Sequence, residues 1–207
     1  MKRSNLYPKI VALVLCTAPL LIAAAKVGEA APEFTATASN GKTLRLSDYH
    51  GKYVVLEWHN NGCPYVRKHY NSGNMQRLQK LWTGRGVVWF TILSSAPGKQ
   101  GYMTANEEND YLVKMQATPT AALLDPTGEI GHLYDAKTSP QMVVINPQGI
   151  LIYDGAIDDK PTTDLKDVPD ATNYVNLALE RAMAGKQVET SATRPYGCSV
   201  KYVDSTH

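Results

Sequence analysis

"KYVVLEWHNNGCPYVRKHY", residues 52–70, decides how the chain is read. Its first half is an apolar, β-branched run carrying one acid, Glu57. Such a run fits a strand buried on both faces. Gly62-Cys63-Pro64 then makes a corner, and Pro64 suits the first position of a helix, where no N–H partner is needed. Strand, corner and helix in that order put Cys63 at a helix N-terminus. The helix dipole and the free N–H groups of the first turn favour an anion there. A thiolate is such an anion, so Cys63 has the local chemistry of a reactive nucleophile. The alternative is a small buried hydrophobe, the common fate of a lone cysteine. A disulfide exchanger with a Cys-x-x-Cys loop would carry a second cysteine at position 66, and this chain has Val66.

Working outward, "FTATASNGKTLRLSDY" holds two short β-like runs around Asn40-Gly41, a dipeptide that predicts a two-residue hairpin turn. After the Cys63 corner, Val66, Met75, Leu78, Leu81 and Trp82 line one helical face, with a break expected at Asn71-Ser72-Gly73. "GVVWFTILSS" reads as a second buried strand. Thr104 and Glu107 are spaced as a capping box and start a helix. "TAALLD", "QMVVIN" and "GILIYDG" are strand-like, the last two joined by the Pro147-Gln148-Gly149 turn. Tyr174, Leu177, Ala178, Arg181 and Ala182 fall at helical spacing, ending at Gly185. The tail from residue 188 is polar and without periodicity, so its pattern ties it to nothing. Strands alternating with helices, then a hairpin and a last helix, give one α/β domain with a mixed sheet.

Length and composition agree. The chain has 207 residues, 43 % of them hydrophobic, enough for one domain with a full core. A net charge of +2 without a basic run beyond the N-terminus argues against a nucleic-acid binder. The N-terminus itself has Lys2, Arg3 and Lys9 before an apolar stretch, Ile10 to Ala25, that ends in three alanines. Residues 1–25 are therefore expected to be an export signal, leaving a domain over 26–187 and a tail over 188–207. Retention of the segment as an uncleaved anchor is the alternative, and it is the one route to a membrane. A periplasmic or secreted location follows. Cys16 leaves with the signal, and the mature chain keeps two cysteines, Cys63 and Cys198.

"VGEAAPEFTATASNGKTLRLSDYHGKYVVLEW" resembles the opening of the redoxins, the thioredoxin-like reductases and peroxiredoxins of the alkyl hydroperoxide reductase and thiol-specific antioxidant type. "LLDPTGEIGHLYDAKTSPQMVVINPQGILIYDGAIDD" is similar to the second half of the same fold. The resemblance runs from about Val27 to Arg181. It implies a thioredoxin-like fold, a three-layer α/β structure with a central mixed sheet flanked by helices, here with an N-terminal β-hairpin extension. It also implies thiol chemistry at Cys63, with no cofactor, and a cis-proline facing that cysteine. Of Pro119 and Pro140, the second is expected to be cis, because a strand and a Pro-x-Gly hairpin follow it directly. The buried acid of thioredoxin, six residues before the first cysteine, matches Glu57. Its expected role is proton relay to Cys63, and the alternative is an edge-facing acid paired with a lysine.

The departures carry information too. Cys63-Pro64-Tyr65-Val66 resembles the Cys-Pro-Tyr-Cys of glutaredoxins with the second cysteine lost. Peroxiredoxins have Thr or Ser three residues before the peroxide-reactive cysteine, and this chain has Asn60, which still donates a hydrogen bond. Arg67 is the arginine nearest in sequence to the thiol, with a solvated helix face as its alternative. His69 reads as a surface or helix-packing residue. Two functions stand at this point. One is a thiol-dependent oxidoreductase in which Cys63 attacks a peroxide or a protein disulfide, Cys198 resolves, and a thioredoxin-like or small thiol supplies electrons. The other is a binding or assembly module with a structural Cys63–Cys198 bond. A tail released when the pair is reduced is expected from the first.

Overall fold

The structure is a computed structural model that describes residues 25–203, so the expected export signal lies, up to residue 24, outside the described residues. Among the described residues nine strands form: β1 Thr35–Ala38, β2 Thr43–Arg45, β3 Val54–Trp58, β4 Val88–Leu93, β5 Ala121–Leu124, β6 Thr138–Ser139, β7 Met142–Ile145, β8 Leu151–Gly155 and β9 Cys198–Ser199. Five α-helices accompany them: α1 Pro64–Asn71, α2 Asn74–Gly84, α3 Ala105–Met115, α4 Glu129–Leu133 and α5 Tyr174–Met183. Seven strands make one sheet in the order β2-β1-β5-β4-β3-β7-β8. Its centre, β5-β4-β3, is parallel, and β1, β7 and β8 join antiparallel. This is the thioredoxin-like arrangement, extended at one edge by the β1–β2 hairpin.

All five residues of β3 are buried, as its unbroken apolar run requires of a central strand. Alternation splits the strands between two cores. Leu56, Trp58, Phe90, Ile92 and Leu123 face a layer holding α4 and the segment around Phe34. Val55 and Trp89 face α1, α2 and α5 through Val66, Tyr70, Leu78, Trp82 and Leu179. Helix α3 closes the same side through Tyr111 and Met115. Its capping box is formed: Thr104 Oγ1 accepts from Glu107 N, and Glu107 accepts from the Thr104 N–H at 2.8 Å.

Two local expectations are corrected. The β1–β2 connection is a three-residue loop, Ser39-Asn40-Gly41, because Ala38 N bonds Lys42 O at 2.8 Å and Gly41 N returns to Ala38 O. Ser39 N is taken by Ala122 O instead, which docks the hairpin on β5. The tail is also bound along its length. Asp154 N bonds Ser191 O, Thr193 N bonds Asp154 O, Val200 N bonds Lys137 O and Ala96 N bonds Lys201 O, at 2.7–3.1 Å. Its lack of periodicity reflects a strap that contacts several elements in turn, not an unattached segment.

Candidate active site

Cys63 is the N-cap of α1 and is 0 % exposed. Its N–H bonds Asn60 O at 3.0 Å, closing the corner, and its Sγ donates to Ser139 O at 3.1 Å. Ser139 precedes Pro140 through a cis peptide, and Pro140 itself is buried. Pro64 occupies the first position of α1 and is exposed. The tail brings in the second thiol. Strand β9 pairs antiparallel with β6 in the register Ser139↔Cys198, so Cys198 sits opposite the residue that accepts from Cys63. Its thiol hydrogen-bonds Cys63, and both cysteines are free. Burial first, then Cys63, pushes the Cys198 thiol up to about 12.

The approach depends on Gly197. Its φ is +140°, and a side chain there would run into the Ser139 carbonyl. On one side of Cys198 the strap is held by Tyr196, whose hydroxyl donates to Asp158 and lies 3.4 Å from His69 Nε2. Beyond it, Tyr202 donates to Ala136 O at 2.6 Å and stacks on His132 at 4.1 Å. Tyr202 lies where Gly128 and Gly131 leave room, since a Cβ on either would overlap its ring or hydroxyl.

Glu57 is 0 % exposed on the face of β3 toward α1 and α2. It accepts from Tyr70 Oη at 2.8 Å, Trp89 Nε1 at 2.8 Å, Gln79 Nε2 at 3.2 Å and Thr91 Oγ1 at 3.4 Å. An edge position with a lysine partner is thereby excluded. Burial raises its pKa, and these donors only partly offset that. None of these bonds reaches Cys63. Around Glu57 lies a group that sequence patterns did not single out: His59, Glu108 and Tyr111. The His59 ring packs 4.9 Å from Tyr70 and 5.0 Å from Tyr111, and its Nδ1 is 3.9 Å from Glu57. Burial lowers His59 to about 3, keeping the ring neutral. Burial, then the Glu57 charge, lifts Glu108 to about 8. Glu108 is 0 % exposed on α3, and its burial follows from the docking of that helix.

The remaining candidates are placed apart from the sulfur. The Asn60 side chain is spent on the loop: Nδ2 donates to Gln100 O at 3.2 Å and Oδ1 accepts from Gly62 N at 2.9 Å. Arg67 is exposed on α1. His69 is fully buried rather than at the surface, packed between Asn74 Nδ2 at 2.9 Å and Asp158 at 3.8 Å, and burial lowers it to about 4. Among the described residues no helix is long and apolar enough to cross a membrane.

Residues 27–154 match the AhpC/TSA family. The chain is 27 % identical over 125 residues to the thiol-disulfide oxidoreductase ResA of Bacillus subtilis, covering 60 % of this chain and 64 % of ResA. It is 25 % identical over 154 residues to a probable glutathione peroxidase 8-B of Xenopus laevis, covering 67 % and 71 %. Among solved structures, a hypothetical protein from Sinorhizobium meliloti superposes with a TM-score of 0.76 at 19 % identity, over 88 % of this chain and 98 % of that one. An uncharacterized conserved protein from Geobacillus kaustophilus gives 0.74 at 23 % identity, over 87 % and 94 %.

Proposed function

The chain belongs to the AhpC/TSA family, and from that premise we propose that it is a thiol–disulfide oxidoreductase whose redox pair is Cys63 and Cys198. The observation that carries this is the meeting of the two thiols across the β6–β9 pairing, with Cys63 at the start of α1. The second cysteine missing from the loop is supplied by the tail. In one turnover the two thiols lose two protons and two electrons and form one S–S bond, while a substrate disulfide gains both and becomes two thiols. As thiolate, Cys63 is stabilised by the helix N-terminus. The same feature makes it the better leaving group when the bond is reopened. Glu57, a buried acid whose pKa burial raises, is the proposed store for the proton exchanged during the cycle.

Disulfide exchange is favoured over peroxide reduction by the surroundings of the Cys63 sulfur. Peroxide chemistry needs donors aimed at the leaving oxygen. Here the Asn60 amide is committed to Gln100 and Gly62, and Arg67 faces solvent. The charged start and apolar run before residue 26 support an exported site of action.

The test is turnover with a model disulfide and with hydrogen peroxide under a common thiol reductant, alongside disulfide mapping in graded thiol–disulfide buffers. Faster disulfide turnover, lost in both Cys63→Ser and Cys198→Ser, with one reversible Cys63–Cys198 bond, is the expected result. Turnover of peroxide alone would assign the chain to peroxide reduction instead.

A further inference from the structure

Cys63 is 0 % exposed beneath the strap, whereas Cys198 is partly exposed. The two neighbours of this contact, Gly197 and Thr138, line a cavity of about 590 Å³. One wall is strap, with Arg194 and Tyr196; the other is Asp158, Asp159 and Tyr174. That volume fits a small molecule, since ligand sites commonly enclose about 300–1,000 Å³. The walls carry both signs of charge. Arg194 is exposed, with no hydrogen bond or ion pair among the described residues. Asp158 is 2 % exposed, and its Oδ2 has no hydrogen-bond partner. The group facing that oxygen, His69, is kept neutral by burial, and the buried Lys68 ammonium is turned to Lys160 O at 2.7 Å. A buried carboxylate oxygen left this way suits a cationic ligand group.

We propose that Cys198 is the sulfur that exchanges with the outside, and that the cavity beside it receives a low-molecular-weight thiol bearing both an amino group and a carboxylate. The inference rests on the Cys63–Cys198 redox pair proposed above. In the oxidised chain the ligand thiolate attacks Cys198 Sγ, the Cys63–Cys198 bond breaks, and its electron pair leaves on Cys63. A ligand–Cys198 mixed disulfide remains. A second ligand thiolate attacks the ligand sulfur of that bond and releases Cys198, which takes up a proton. Two thiols are oxidised to one small disulfide and the protein disulfide is reduced. The amino group is oriented by Asp158 and Asp159, the carboxylate by Arg194, and the strap stays closed throughout.

The experiment uses the full chain, oxidised and then reacted briefly with L-cysteine, cysteamine, N-acetyl-L-cysteine or 2-mercaptoethanol. Rates are expressed per thiolate, and adducts are located by acid quench, alkylation and peptide mass spectrometry. Expected is a mixed disulfide on Cys198 with Cys63 free. Expected too is a saturable L-cysteine rate about tenfold above 2-mercaptoethanol, as two exposed charge pairs, at Arg194 and Asp159, together provide. Cysteamine and N-acetyl-L-cysteine fall between. In Arg194→Ala the advantage of L-cysteine over cysteamine disappears. An adduct on Cys63, equal rates for all four thiols, or efficient reduction only by a protein dithiol such as thioredoxin overturns this inference and leaves the redox pair standing. A chain that never forms the Cys63–Cys198 bond overturns both.

Discussion

Replacing Tyr196 with Phe tests whether the strap controls access to Cys63. The change removes only the hydroxyl; the ring and its contact with Tyr65, at 5.8 Å between centroids, remain. The hydroxyl donates to the buried carboxylate of Asp158. A hydrogen bond to a charged group contributes roughly 1.5–3 kcal/mol. Asp158 Oδ1 still receives the Lys160 N–H at 2.9 Å, so its desolvation stays partly compensated and the loss belongs near the lower figure. About 1.5 kcal/mol corresponds to roughly a tenfold rise in the fraction of time the strap is open. Cys63 is 0 % exposed when it is closed, so its labelling should follow that fraction. The assay is peptide-resolved maleimide labelling of the reduced chain at fixed pH, under conditions where opening is fast relative to labelling. Cys63 is expected to label about tenfold faster in Tyr196→Phe, with global stability lowered by no more than the same roughly 1.5 kcal/mol. An unchanged Cys63 rate would refute the argument, because the thiol would then be reached without moving the strap.

Further outcomes follow from neighbouring contacts. Gly131→Ala puts a methyl group where the Tyr202 hydroxyl lies, so it should free the end of the strap and also speed Cys63 labelling; protection equal to the native chain would show that Tyr202 is not an anchor. Glu108 is lifted by burial from 4.5 to about 8, so the fold favours its protonated form and loses stability as pH rises through that window. The full loss is up to roughly 5 kcal/mol at about 1.4 kcal/mol per pH unit. Urea melts should show Glu108→Gln gaining on the native chain from pH 5 to 8 and matching it near pH 4; parallel curves would contradict the burial argument. Glu57→Gln cannot carry a proton, so turnover should fall and its pH profile near neutrality should flatten while circular dichroism is kept. A native pH profile in that variant would make Glu57 a structural acid only.

The β3–corner–α1 unit was legible because its signals are local. An unbroken apolar run can satisfy itself only as a central strand, and Pro64 after Cys63 suits only the start of a helix. Glu57 was legible for a related reason: a lone carboxylate in such a run is costly unless it has partners, and the structure supplies four donors. The break before α2 and the capping box of α3 are likewise written in a few adjacent residues.

What the tail does was not legible, although Cys198 could be named from the chain alone. Two-residue strands such as β6 and β9 have no periodicity to detect, and their pairing joins positions 139 and 198. Tyr196, Tyr202 and Gly197 gain meaning only beside Asp158, the slot at Gly128 and Gly131, and the Ser139 carbonyl. The burial of His59, Glu108 and His69 has the same origin, since polar side chains on short elements look solvated until another layer closes over them. Local sequence determined that Cys63 stands at the start of a helix and which strand leads into it. Tertiary packing decided how Cys198, already expected as the partner thiol, is held against Cys63 and which of the two faces outward, because both depend on contacts between segments far apart in the chain.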